Sequence, residues 1–303
     1  MTARTQGYLF VCITMCIWGG FTILSRLNLH WHVSAWDLVA MRFAIAFIIL
    51  MPVLVYNKDL AFLWHPRPII LALTGGLAYC LTVYTAFLHA PAAHAAIFLN
   101  GCIPLCTAVA AYLLFKHPFD KHTWLSLSIM LSALALMSYL MLHEQASAFG
   151  LGDILFFLSA VWWGIFTVLL KQWKLSAWHS MASVAIWSAL IYLPIYILFI
   201  PKHFQEAEPV HLLVQGVFHG VLVVIIATLT YVAAIERLGA FKTGSIVTLA
   251  PFIAAIIAVP LLNEPLSPAI MCGLVGMGIG ALQPWRWFRK DALTAQLSQQ
   301  KQD

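Results

Sequence analysis

The chain has 303 residues, of which 62% are hydrophobic and 9% charged, with a net charge of +5 and a mean hydropathy of +0.91. An average soluble chain is about a quarter charged, so no water-soluble core could hide this much apolar surface, and the soluble classes are excluded. Several windows exceed the roughly 18 uncharged residues that mark a membrane helix.

In chain order, the apolar runs predict spans over 8–25, 36–56, 68–89, 92–115, 123–142, 153–170, 177–200, 211–237, 242–262 and 268–285. Their continuous apolar character predicts helices, because a membrane barrel would show alternation. Arg4 precedes a first run that lacks a small-x-small cleavage site, so a retained span is expected rather than a cleaved signal peptide. The connections are short and punctuated by Pro, Asn, Gly or charge. The residues after 288 form a polar, Gln-rich tail, expected to be cytoplasmic. All six cysteines fall inside predicted spans with no C-x-x-C, and are expected to be packing residues rather than disulfides or metal ligands.

The two halves echo each other. Trp18-Gly19-Gly20-Phe21-Thr22 answers Trp163-Gly164-Ile165-Phe166-Thr167 at an offset of 145 residues. Tyr84-Thr85-Ala86 answers Tyr231-Val232-Ala233, Pro104 answers Pro251 and Pro118 answers Pro265, all at 147. An ordered series at nearly one offset marks a duplication, with a first five-helix repeat at 1–145, a second at 146–288 and the tail at 289–303. With the N-terminus inside, thirteen of the 16 Lys and Arg fall on the inner side, Arg26 and Lys202 lie outside, and Arg42 lies within the second span. Both termini are therefore expected in the cytoplasm. Five spans per repeat, an odd number, would place the halves in opposite orientations, an inverted repeat of the kind common in transporters.

Chemistry within the spans is sparse. Pro104 and Pro251 each free the carbonyl four residues earlier, at Asn100 and Val247, and kinks of this sort are tolerated where protein or a wet cavity meets the freed group. They would flank a cavity, or merely bend a helix for packing. Trp18, Trp163, Tyr79, Tyr84 and Tyr231 lie deep enough to stack on a solute or hold a cation by a ring face; packing bulk is the competing role. Thr22, Asn100, Thr243, Ser245 and Thr248 add small polar groups that also glue helices. Arg42 is an expensive intramembrane charge, expected to serve a structural partner ahead of substrate. His94 and Glu236 could carry a proton, although a histidine near the outer turn is more often solvated. No H-E-x-x-H, G-x-S-x-G or P-loop occurs, and nothing points to an enzyme or a cofactor.

Trp18-Gly19, Arg42-Phe43, Gly75-Gly76, Tyr84, the run from Ala95 through Pro104 to Lys116-His117-Pro118, Gly152-Asp153, Trp163, Tyr231, Pro251 and Asn263-Glu264-Pro265 together resemble the drug/metabolite transporter superfamily, and within it the EamA-type permeases. The likeness covers residues 7–285. One departure is His117, where the family usually has an acidic residue. The resemblance implies ten helices in two inverted halves around a cavity walled by spans one, three, four, six, eight and nine.

The expected function is a secondary transporter of small organic metabolites, such as amino acids or amphiphilic amines, acting as an exporter by alternating access. Drug-like or quaternary cations are an alternative cargo, and a non-transporting receptor or scaffold an alternative role. The expected partners are a small-molecule substrate and the lipid bilayer, with no nucleic acid. A monomer or homodimer in a bacterial inner membrane is expected.

Overall fold

The computed structural model describes residues 2–116, 121–143, 149–238, 243, 246–247, 250–263 and 267–282, which form helices joined by short loops with no strand among them. Helix α1 is Ala3–Leu27 and α2 is Ala35–Tyr56. Helices α3 and α4 are Pro66–His89 and Ala92–Phe115. Then come α5 (Lys121–His143), α6 (Leu151–Trp173) and α7 (Ala177–Phe199). Helix α8 runs from Pro209–Val217 through Phe218–Ile226 into Ala227–Leu238. The described part of α9 is Ala250–Leu262, and α10 is Pro268–Leu282.

Seven helices among the described residues are long and apolar enough to cross a membrane: α1 to α4 and α6 to α8. Helix α10 contributes a shorter apolar stretch, Pro268–Gly280. Outward-facing Ile48, Leu113, Leu198 and Ile256 leave large apolar side chains exposed, as a lipid-facing band requires. The protein is a multi-pass integral membrane protein. Cys80, Cys102 and Cys106 are buried, whereas Cys12, Cys16 and Cys272 are exposed, so only the first three fill the packing role expected of all six.

Helix starts follow local chemistry. Ser34 accepts from the Trp36 amide and Ser176 from the His179 amide, each satisfying a donor that has no partner inside the helix. Asp153 Oδ2 accepts from the Gly150 amide at 2.8 Å and closes the start of α6.

The main contacts survive exchange of the halves. Helix α1 packs on α8 and α9, as α6 packs on α3 and α4; α2 packs on α7 and α8, as α7 packs on α2 and α3. Two pairs of equivalent helices, α2 with α7 and α5 with α10, run antiparallel. Near the start of α2, Asp37 accepts from the Tyr196 hydroxyl and the His203 amide, close to the end of α7. Just past the end of α2, Asp59 meets Trp178 and His179 at the start of α7. Likewise Ser126, early in α5, donates to the Gly280 carbonyl late in α10. A rotation that exchanges α2 with an antiparallel α7 has its axis perpendicular to the helices.

Glycine allows the closest approaches. A Cβ at Gly152 would lie 2.4 Å from Ala90 Cβ and 2.8 Å from its amide nitrogen, and one at Gly164 would lie 2.8 Å from backbone atoms of Cys106 and Thr107. Among the described residues, Gly19, the sequence counterpart of Gly164, meets only the Ala250 carbonyl at 3.7 Å, an ordinary contact.

Candidate functional site

Wide turns recur at equivalent places. Residues Ala72–Ala78 in α3 and Phe218–Ile226 in α8 are π-helical, and so is Ala95–Gly101 in α4. Such segments are uncommon and concentrate at functional sites. In α4 the wide turn ends at Cys102, whose amide reaches back to the Ile97 carbonyl at 3.1 Å, and Pro104 opens the next stretch, Ile103–Phe115. Asn100, Gly101, Ile103 and Pro104 all face one hollow. Pro104 thus follows directly on the wide turn and borders a cavity. Pro251 lies in α9, with its side chain outside the described residues.

That cavity holds about 480 Å³. Trp18, Tyr79, Asn100, Pro104, Trp163 and Tyr231 line it, six of the residues singled out from sequence. Two aromatic pairs line it: Trp18 with Tyr231 at 5.2 Å between ring centroids, and Tyr79 with Trp163 at 4.8 Å. Half-exchange symmetry would pair Trp163 with Tyr84, the counterpart of Tyr231. Tyr79 takes that place instead.

Tyr84 sits behind the wall and does not line the cavity. Only 1% exposed, its hydroxyl accepts from Arg42 Nη1 at 2.8 Å and lies 2.9 Å from His219 Nδ1. Phe21 covers this group edge-on, 5.5 Å from the His219 ring, and presents its other side to the cavity. Arg42, expected to be a structural partner off the cavity helices, has Tyr84 as its partner and lines the cavity as well.

His94 also departs from expectation. It is 2% exposed rather than solvated, with Nδ1 2.7 Å from Asp153 Oδ1, and its Nε2 has no partner among the described residues. The close seating of α6 on the turn before α4, permitted by Gly152, buries the pair. Thr22 is buried in α1 and does not line the cavity. Glu236 is in α8 with its side chain outside the described residues. Thr248 and Ser245 lie outside them altogether, as do Pro118, Glu264, Pro265 and the 289–303 tail.

Sequence reasoning missed Phe21, Phe166, Thr167 and Val223, and did not expect α2 or α10 as walls, although α10 contributes Leu274, Met277 and Gly278. Phe21 and Phe166 were within reach, since they occupy the same place in the two Trp-Gly echoes. The apolar residues of α10 carried no signal. A second hollow of about 540 Å³ shares Pro104 and Thr167 with the first and extends to Lys171, near the end of α6.

This geometry defines a membrane protein with a solute-sized cavity between two equivalent halves. The EamA-like transporter family model matches the chain twice, over residues 5–139 and 150–283, and the chain belongs to that family. The drug/metabolite superfamily resemblance drawn from the sequence motifs is thereby shown, and the family's members are transporters rather than enzymes. No curated protein matches the chain. Among 28 matching solved chains, one described simply as a crystal structure of a protein is similar at a TM-score of 0.62 and 19% identity. The match covers 95% of this chain and 99% of that one, a likeness of fold alone.

Proposed function

We propose that the protein is a secondary transporter exporting small organic metabolites, such as amino acids or amphiphilic amines, across a bacterial inner membrane by alternating access. The observation that carries this reading is the cavity of about 480 Å³ with aromatic walls drawn from both halves. That volume falls in the range of small-molecule sites, which bury an apolar body and fix it with a few polar groups.

Ten spans with both termini in the cytoplasm accompany this reading. The cation distribution supports the orientation, and the antiparallel run of α2 and α7 supports inverted halves. In that orientation the second hollow, reaching Lys171, leads from the cavity toward the cytoplasm. Toward the outside, buried Phe87, Phe156, His94 and Asp153 fill the space. Closure on one side with an approach on the other is the geometry that a rocking exchange between two halves would invert. The buried His94–Asp153 pair, with Nδ1 2.7 Å from Oδ1, is the group we assign to coupling the movement to a proton.

The test is flux in proteoliposomes loaded in turn with labelled amino acids, amines and nucleosides, with and without a pH gradient. Saturable efflux of at least one class, absent from empty liposomes, is expected. A receptor or scaffold would move none of them.

A further inference from the structure

Arg42 is the one charged residue among the described residues that line the cavity. A guanidinium has five N–H donors, and Arg42 makes one side-chain hydrogen bond among the described residues, to the Tyr84 hydroxyl. Its Nε is buried with no partner among the described residues, and the residue is 6% exposed. The ion pairs of the described residues involve His94, His179 and His203 with their acids, and none reaches Arg42. An intramembrane charge normally faces a counter-charge or marks a substrate path. Here the described protein supplies a neutral anchor and leaves the space in front as cavity.

The anchoring is specific. The Tyr84 hydroxyl accepts from Nη1 and is itself hydrogen-bonded to His219 Nδ1, so the guanidinium is held at one nitrogen with donors to spare. The device exists in one half only. Counting back ten residues from the prolines within α2 and α7, Pro52 and Pro194, puts Val184 where the first half has Arg42. It also turns Tyr84 away from the wall that its counterpart Tyr231 occupies. The duplicated aromatic frame is thus broken at one point, and a cation stands there.

We infer that Arg42 is the solute's anion site, and that the cavity takes a small organic carboxylate whose apolar or aromatic body lies between the Trp18–Tyr231 and Tyr79–Trp163 pairs. This rests on the transporter reading of the same cavity and names its substrate class. Planar carboxylate matches the guanidinium fork with two parallel hydrogen bonds. One cation balances one carboxylate, whereas a phosphomonoester, carrying nearly two charges, would need a second cation that the described lining lacks. Quaternary amines would meet a fixed like charge.

Equilibrium binding to the full-length protein in lipid nanodiscs, by calorimetry, tests this with 3-phenylpropionate, L-phenylalanine, L-phenylalanine methyl ester and phenethylamine. The first is expected to bind, with or without L-phenylalanine, and the two that lack a carboxylate at least tenfold more weakly, about 1.4 kcal/mol. Binding of both carboxylates identifies zwitterions and simple acids alike as cargo; binding of phenylpropionate alone restricts it to acids. Arg42→Gln should abolish the preference, and Arg42→Lys, which keeps charge but loses the fork, should retain part of it. If Arg42→Gln does not fold, the ligand ratios of the unaltered protein and Arg42→Lys decide. Equal or tighter binding of the ester or amine, no carboxylate binding, or carboxylate affinity within twofold in Arg42→Gln would overturn the inference. In the first case, saturable amine flux would leave the transporter reading standing; with no flux of any solute, both fall.

Discussion

Tyr84 shows how little a residue type says about its job. Its sequence position matches Tyr231, yet Tyr231 joins Trp18 in the cavity wall while Tyr84 spends its hydroxyl on Arg42 and His219. Tyr84→Phe would keep the ring and strip Arg42 of its acceptor, at a cost of about 1–3 kcal/mol for an unsatisfied buried donor. The expected outcome is a lower thermal midpoint in detergent, whereas Tyr231→Phe should leave the midpoint near wild type. His94→Gln separates two roles of the buried pair. It should lower stability by the loss of the Asp153 contact and, if the pair couples a proton, flatten the pH dependence of flux; unchanged pH dependence would remove His94 from coupling. None of these partnerships was legible in the sequence. Arg42 and Tyr84 stand 42 residues apart, Tyr84 and His219 135, and His94 and Asp153 59. Pairing across such distances depends on which helix faces which, not on spacing along one helix.

At the scale of helices, local signals did better. The expected bounds of α2, α3, α4 and α7 differ from the observed ones by two residues at most, because a run of apolar residues closed by Pro, Ser or Asn has few other solutions in lipid. The wide turns were not expected, since nothing in Ala72–Ala78 or Phe218–Ile226 distinguishes a π-helix from an α-helix by composition. Nor did the repeated Trp-Gly motif say that its glycines would differ. Gly164→Ala must push α6 off the backbone of α4, an overpacking cost of about 1–3 kcal/mol, whereas Gly19→Ala adds a methyl at ordinary contact distance. Thermal unfolding of the two purified variants should therefore separate them; equal midpoints would mean that α6 does not sit this close to α4.

For the whole molecule, duplication was legible and the cavity only in part. Echoed residues revealed the repeat, and the antiparallel α2 and α7 agree with halves related by inversion. Side chains on α2 and α10 completed the lining through packing that periodicity could not rank. Orientation is open to a direct check. Single cysteines near Lys58, Lys121 and Lys174 should resist an impermeant thiol reagent in intact cells, and those near Trp31 and Gln205 should react. Labelling in the reverse pattern would contradict cytoplasmic termini.

The central claim is that a transported solute lies between the aromatic pairs, and the apparent KM of flux in proteoliposomes tests it most directly. Each ring face contributes about 0.5–2 kcal/mol by stacking or cation–π attraction, where 1.4 kcal/mol is tenfold in affinity. Trp163→Ala and Tyr231→Ala should each raise KM several-fold at normal membrane abundance, while Trp124→Ala, exposed on α5, should not. Wild-type KM in both cavity variants would contradict the account, and the solute would have to bind elsewhere.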